Sequence, residues 1–470
     1  MSVDSERIQK LNAQPERPER KYVLYWAQMN RRVNVNQALL FAAEAANRHD
    51  LPLLVYEGLT CSYEYANDRL HTFVLEGVLD TEQRLAKLGI GYIFYLRKTA
   101  KSRNDVLYEL AKDAALLVTD DYPVFIAAMH NRSVPNKVDI AYYAVDSSCV
   151  VPMSCVPERQ YAAYTIRPRI RRLLPKFLQP ADALHVKRKY TASLSSFHTN
   201  VTKEKIPSLV ASCDIDHSVS PSLTFRGGSE QAELLLQHFL QQNLKRFAED
   251  RNEPTEHATS HLSPYLHFGQ ISALEIALAV EKHLRTAKAG AEAYLEELVV
   301  RRELSFNYAG HVKDPGSLKN LPEWCQQNME KHARDQREHI YTPRQLEEAE
   351  TADALWNATQ KEMLLRGKIQ GYYRMYWGKK IIEWSRSYEE AARVMIDIHG
   401  RHALDGRDPN TFTNILWCFG LHDRAWPERP VFGKMRYMSL EGMKRKTDTQ
   451  AYIEEIEKLE RTGKDEKAVP

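Results

Sequence analysis

The segment 22-YVLYWAQMNRRVNVNQALLFAAEAANRHDLPLLVYEG-58 decides the fold of the first half of this 470-residue chain. It opens on the apolar run "YVLYW" (22–26), passes through the amphipathic "VNQALLFAAEAANRH", and returns to "LPLLVYEG" (51–58). Two near-continuous apolar runs flanking a helix describe a parallel βαβ unit whose strands are buried on both faces. The alternation continues through a helical pattern over 65–88, a strand at "GYIFYLRK" (91–98), a helix at "NDVLYELAKDA" (104–114) and strands at "ALLVTDD" (115–121) and "VDIAYYAVDSSCVV" (138–151). The expected fold is an α/β, doubly wound parallel-sheet domain over 21–190, with "TDDYP" on the edge where such sheets bind ligands. No G-x-G-x-x-G follows the first strand, because "GIGYIF" lacks the third glycine and precedes a strand, so a dinucleotide fingerprint is absent.

Outward from this unit the grammar changes. Residues 1–20 are polar, of mixed charge and without an apolar h-region, and read as a flexible leader, neither a signal nor a transit peptide. Residues 191–227, rich in Ser, Thr and Pro, read as an inter-domain linker. From 228 to 460 the apolar residues recur with a helical period, which predicts an all-α second domain, and 461–470 read as a polar tail. No run of eighteen apolar residues exists, which excludes a helical membrane span. Six scattered cysteines without paired spacing suggest reduced thiols and a cytoplasmic protein. Net charge is only +3, but basic clusters at 167–176, 185–189, 301–303 and 433–446, interleaved with Tyr, Trp and Met, make a nucleic-acid groove plausible beside the bland alternative of solvated faces.

Four motifs in the helical half invite chemistry. In "GYYRMYWGKKIIEW" (371–384), Trp377 and Trp384 are seven residues apart, roughly 10 Å along one helix face. Core packing is the plain reading, yet six of the seven tryptophans lie in this half, where a helical core ordinarily prefers Leu, Ile and Ala. In "EHATSHLSPYLHFGQIS" (256–272), Thr259, Ser260 and Ser263 precede or open a helix with Pro264 in its first turn, as N-caps or as phosphate ligands. His257 and His261 share a spacing of four, but no third ligand accompanies them, so no metal site is expected. "EELVVRREL" (296–304) sets three carboxylates around two arginines, either ordinary helix ion pairs or general acid–base groups. "LDGRDPN" (404–410) is either a hydrogen-bonded turn or the partner of a buried arginine such as Arg374.

In this order, "TSHLSPYLHFGQIS", "EELVVRRE", "GYYRMYWGKKIIEW", "LDGRDPN" and "HDRAWPERPVFGKMRYM" resemble the flavin-binding domain of class II cyclobutane pyrimidine dimer photolyases, of the photolyase/cryptochrome family. "YWAQMNRRVNVNQALLFA", "TDDYP" and "YTIRPRI" are similar to that family's antenna domain, so the resemblance covers about 22–455. It implies light-driven repair: reduced, anionic FAD in the helical domain passes an electron to a dimer flipped out of double-stranded DNA, and the cyclobutane ring splits. It implies FAD contacts from Thr259, Ser260, Leu262, Ser263, Arg374, His399 and Asp405, with Arg374 paired to Asp405. Glu297 would hydrogen-bond the dimer, and Met375 and Trp417 would wall its pocket, with Asp423 close by. Trp356, Trp377 and Trp384 would form a hole-hopping relay with Tyr376 beside it. Arg301, Arg424, Trp426, Lys434, Arg436, Lys444 and Arg445 would meet DNA.

The chain departs from the pattern in places. His399 stands where an asparagine facing the flavin is expected, and histidine can donate a hydrogen bond there but titrates. Thr411 and Asn414 replace glycines, and "RRVNVNQAL" lacks the family's usual acidic residue and tryptophan, which touches the antenna site for a deazaflavin or folate. A cryptochrome-like photoreceptor, a flavoprotein that only binds DNA, and repair of six-four photoproducts are the competing readings. A monomer is expected.

Overall fold

The computed structural model describes residues 3–193 and 195–467. Its N-terminal half is built on a six-stranded sheet: β1 (Ile8–Lys10), β2 (Tyr22–Ala27), β3 (Leu53–Thr60), β4 (Gly91–Arg97), β5 (Ala114–Asp120) and β6 (Tyr142–Val145). The spatial order is β1-β6-β5-β2-β3-β4, parallel throughout except for β1, which runs antiparallel to β6. All six residues of β2 and all seven of β5 are buried, as their unbroken apolar character requires of strands covered on both faces. The Gln37–His49 helix starts where the Asn36 side chain accepts the Ala38 and Leu39 N–H groups. The final strand is shorter than the expected 138–151 run because the Asp146 carboxylate accepts the Ser148 and Cys149 N–H groups and turns the chain out of the sheet.

Two connecting segments differ from their sequence readings. The expected flexible leader is part of the sheet: Ile8, Gln9 and Lys10 pair with Val145, Ala144 and Tyr143. Arg7 is buried and donates to the carbonyls of Asp146, Cys149 and Val150. The linker is a strap along the free edge of β4. Thr199 donates its N–H to the Phe94 carbonyl, the Leu96 N–H reaches Thr199 Oγ1, and Asp214 donates to the Lys98 carbonyl. Such a cover protects an edge that would otherwise offer unpaired backbone groups.

The C-terminal half is helical. Its inner elements are Ala354–Arg366, Gly371–Trp384, Tyr388–His402 and Pro409–Cys418, with Thr449–Thr462 packed on the first of them. The apolar core does not divide at the linker. One cluster runs from Val3 to Leu304, takes in Leu404 as well, and joins the sheet to the first helices of the second half, while a separate cluster from Tyr308 to Ile456 holds Trp356, Trp377 and Trp384. No helix among the described residues is long and apolar enough to cross a membrane, and none of the six cysteines is bonded to another.

Arg7 offers a direct check of the leader's structural role. Arg7→Ala strands three buried carbonyls, so it should cost about 3 kcal/mol. Chemical denaturation would register this as a lowered midpoint at unchanged slope, whereas a floppy leader would leave the midpoint where it is.

Candidate functional site

Three of the six indoles of the helical half form a continuous chain. Trp377 and Trp384 share one helix face, and Trp356, from the Ala354–Arg366 helix, is inserted between them. The Trp356 ring lies 6.4 Å from Trp377, nearly parallel at 5°, and 5.5 Å from Trp384, edge to face. Hydrogen bonds fix the inner two rings: Trp356 Nε1 donates to the Trp377 carbonyl at 3.0 Å, and Trp377 Nε1 to Gln360 Oε1 at 2.8 Å. Trp384 ends the chain against Tyr341, 5.2 Å away, a neighbour that no sequence spacing pointed to. Tyr376 faces elsewhere and donates its hydroxyl to Asp353, the N-cap of the helix that carries Trp356.

At the inner end, Trp377 meets the His399 ring edge-on at 4.8 Å. His399 is buried, and its Nδ1 lies 3.2 Å from the Met395 carbonyl. A carbonyl can only accept, so Nδ1 carries the proton and Nε2 is left as a bare acceptor. The structure thus makes His399 an acceptor where the sequence suggested a donor. Burial, with the Arg374 charge adding to it, pushes its pKa down to about 3. Arg374 reaches Asp405 at 3.1 Å. Burial works to raise the Asp405 carboxyl, but the Arg374 and Lys368 charges outweigh it and hold it well below the ordinary carboxylate range. Gly406 makes this turn possible, because a Cβ there would stand 1.8 Å from the His399 carbonyl oxygen. Thr411, at a position of expected glycine, donates its hydroxyl to the Asp405 carbonyl at 2.7 Å, and Asn414 is exposed.

The 257–263 loop closes the cluster from the other side. His257 and His261 both have positive φ, at 49° and 56°, a conformation costly for residues with a Cβ and concentrated at functional sites. They go to different partners: His257 Nε2 bonds Glu455, while His261 Nε2 meets Thr259 Oγ1 at 3.5 Å and its Nδ1 is buried without a partner. The helix here is short, Ser263–His267, with Leu262 as N-cap and no side-chain cap, so none of the three hydroxyls is occupied by capping. Ser260 accepts from the Tyr294 hydroxyl, and Thr259 opens on a cavity shared with His261, Lys368 and Gln370. Two buried polar atoms near Asp405, Arg374 Nε and His399 Nε2, have no hydrogen-bond partner, and Ser263 Oγ has none beyond its approach to the Asp405 carboxylate. Buried polar groups are seldom left so. One free donor, one free acceptor, the Ser263 hydroxyl and the nearby Lys368 ammonium fit a polar, anionic, heterocyclic group such as FAD. Lys368 carried no signal in the sequence beyond its charge.

The remaining expected residues lie toward the surface. Glu297 sits exposed on a π-helical turn (Glu296–Arg301) and pairs with Arg251 at 3.1 Å. Single π-turns inside helices are frequent at functional sites. The Arg251 carbonyl in turn accepts from Gln370, the N-cap of the Gly371–Trp384 helix, so Glu297 is tied to the helix that carries Met375. The three carboxylates of this motif have three employments. Glu296 pairs with Arg167 and faces Arg301 at 3.5 Å, and buried Glu303 accepts the Val150 and Val151 N–H groups, with burial pushing its pKa up to about 8. Met375 and Trp417 are half-buried on the rim of the core cluster that holds Trp356, Trp377 and Trp384. Trp426 stacks with Arg424 and Arg436 at 4.9 and 5.1 Å, and its indole N–H donates to Asp423. Lys434 and Arg445 are exposed, whereas Lys444 is paired with Glu441 at 2.9 Å. At the sheet edge, Asp120 of "TDDYP" is already engaged: it accepts the N–H groups of Gln28, Met29 and Asn30, the Asn30 amide and the Tyr25 hydroxyl.

His399 gives a pH signature. A histidine held neutral must gain a proton on unfolding once pH falls below its ordinary value near 6.5. Its stabilising contribution is therefore full above about pH 6.5 and is lost as pH falls toward 3. His399→Asn removes this titration, so the variant's denaturation midpoint should decline less steeply between pH 6.5 and 4 than the parent's. Parallel declines would mean that His399 does not titrate as its surroundings require.

Known proteins resemble this chain in sequence and in fold. The DNA photolyase family model matches residues 23–187. A deoxyribodipyrimidine photo-lyase of Methanothermobacter thermautotrophicus is 38% identical over 97% of this chain and 99% of its own length. One from Arabidopsis thaliana is 37% identical over 93% and 89%, and one from Potorous tridactylus 34% identical over 92% and 81%. Among solved structures, a Synechocystis cryptochrome superposes with a TM-score of 0.69 at 15% identity, covering 93% of this chain and 90% of its own. A Sulfolobus tokodaii photolyase holding two FAD molecules gives 0.65 at 15%, covering 94% and 91%. The overall fold and the full-length relatives agree, and the chain belongs to the DNA photolyase family.

Proposed function

We propose that this protein is a deoxyribodipyrimidine photo-lyase of the class II kind, a light-driven carbon–carbon lyase that repairs cyclobutane pyrimidine dimers in double-stranded DNA. The observation that carries the reading is the pair of unpartnered Arg374 Nε and His399 Nε2, with Ser263 Oγ against Asp405, at the inner end of an indole chain. Relatives 34–38% identical along most of this chain bear that enzyme's name. FAD, when bound, supplies a blue-light-absorbing one-electron donor.

The chain's own residues do the rest. Arg374 and Lys368 would balance negative charge on the cofactor, with Asp405 fixing the guanidinium. Thr259, Ser260 and Ser263, set by Leu262 at the helix start, would hold its phosphates. His399 Nε2 would accept a ring N–H. Met375 and Trp417 would pack against a flipped-out dimer, whose weakened stacking lowers the cost of extrusion. Glu297 would exchange Arg251 for a hydrogen bond to the dimer. Arg301, Arg424, Arg436, Lys434 and Arg445 would contact phosphates, a mode of binding that suits a substrate defined by damage. Trp377, Trp356 and Trp384 would pass electrons inward from an external reductant. A deazaflavin or folate antenna would need contacts other than Asp120. The protein would act as a monomer in the compartment that holds the DNA.

The purified protein, reduced and exposed to blue light with a dimer-containing duplex, should restore the thymine absorbance that dimerisation removed. A yellow protein that photoreduces but leaves dimers intact would rule out repair. Glu297→Ala should lower repair per absorbed photon by about tenfold, the scale of one charge-assisted hydrogen bond, with DNA affinity little changed. Trp356→Phe should stop photoreduction by thiols as completely as Trp377→Phe while sparing repair by pre-reduced enzyme. Equal loss of both activities would remove the relay.

A further inference from the structure

Five side chains at the rim of the helical half alternate cation and indole. Lys379 Nζ lies 5.2 Å from the Trp417 ring, Arg436 Cζ lies 5.6 Å from Trp417 and 5.1 Å from Trp426, and Arg424 Cζ lies 4.9 Å from Trp426. Lys379 is fully buried, and its Nζ donates to the Cys418 carbonyl at 2.6 Å. Neither Lys379 nor Arg436 has a carboxylate within ion-pair distance among the described residues. Asp423, which acts on Lys379 electrostatically, is bonded to the Trp426 indole instead. Burial pushes the Lys379 pKa down to about 8, which leaves it charged at neutral pH.

The relay indoles have different surroundings. Among the described residues no cation lies over Trp356 or Trp377, whose neighbours are the neutral His399 and Gln360. Trp384 has Lys380 at 5.3 Å, but that ammonium is paired with Glu383 at 2.8 Å. An indole that gives up one electron becomes a radical cation. An unpaired positive charge some 5 Å away in a partly desolvated site opposes that step, because like charges there are weakly screened. The attraction that a cation has for a neutral indole face turns into repulsion once the ring is oxidised.

We propose that Lys379 and Arg436 form a charge clamp that keeps Trp417 from being oxidised and confines hole transport to the Trp377–Trp356–Trp384 chain. The inference rests on the proposed function for its purpose: an oxidised Trp417 would sit in the wall of the lesion pocket. Lys379 is a tuning residue in this account and touches no reacting atom. When an indole is oxidised, one electron leaves it for a photoexcited flavin, and the ring retains the positive charge until it is reduced or reacts with oxygen.

The test uses the full-length protein and free riboflavin, an uncharged photo-oxidant, under blue light in air, with oxidation at each tryptophan read by peptide mass spectrometry. Trp324, half-buried and with no cation over its ring among the described residues, is the internal reference. The Trp417:Trp324 oxidation ratio should rise at least fivefold in Lys379→Met and in Arg436→Gln, and stay within twofold of the parent in Lys379→Arg. Ratios unchanged in both neutral variants would overturn the clamp. Should Lys379→Met fail to fold, Arg436→Gln decides alone, since Arg436 lies nearer the surface. A parallel sample of the flavin-loaded protein, illuminated without riboflavin, separates the two readings. If the protein holds no photoactive flavin, no variant in that sample shows tryptophan oxidation, while the riboflavin ratios still decide the clamp.

Discussion

Arg374 and Lys368 converge on a single carboxylate, Asp405, and much of the helical half serves that arrangement. Of the other acids nearby, Glu362 is already held by Arg366 and the Tyr452 hydroxyl. A charge drawn out of water without a partner is expensive. The cluster is therefore most stable when an anion joins it, and a helix-bound arginine held by a turn-bound aspartate gives that anion a fixed seat. The turn owes its shape to Gly406 against the His399 carbonyl and to the Thr411 hydroxyl on Asp405. Substitution at either glycine-permissive contact or the threonine would act on the site through Asp405.

Charge is distributed unevenly around the indoles, and the unevenness has a direction. Among the described residues no cation lies over Trp377 or Trp356, and Lys380, over Trp384 at the far end, is paired with Glu383. The rim around Trp417 and Trp426 carries three cations, Lys379, Arg424 and Arg436, without a carboxylate at ion-pair distance among the described residues. Positive charge favours negative partners and opposes holes, so the same side chains that suit a phosphate backbone make their indoles poor electron donors. Indoles with no unpaired cation over them among the described residues and indoles on a cationic rim are thus two kinds, although sequence presents them as one enriched set.

What could be read in the sequence follows from what makes each element form. Strands β2 to β5 announce themselves because burial on both faces demands unbroken apolar runs. β1 could not be read: "IQK" has no such run, and it exists because β6 offers a free edge and Arg7 finds three carbonyls. The seven-residue spacing placed Trp377 and Trp384 on one face correctly, but the order of the chain, with Trp356 between them, depends on how two helices pack. Lys379 reads as one more cation of a basic helix, and only packing shows that it is fully buried. The π-turn at Glu297 has no period of its own to betray it.

The sheet, for its part, reaches the site mechanically. Arg302 and Glu303, one and two positions beyond the π-turn, grip the chain just after β6: Glu303 accepts the Val150 and Val151 N–H groups, and Arg302 donates to the Ser148 carbonyl at 2.7 Å. The same loop is held from below by Arg7 through the Cys149 and Val150 carbonyls. The exposed carboxylate of Glu297 is thus anchored six residues away by groups that are wholly buried and hydrogen-bonded to the α/β half. An exposed acid that must meet a substrate at hydrogen-bond distance needs a rigid base. In this chain that base would be the strand-end loop of the other half, and the apolar core, which includes Leu304 and Leu404, likewise spans both halves instead of dividing at the linker.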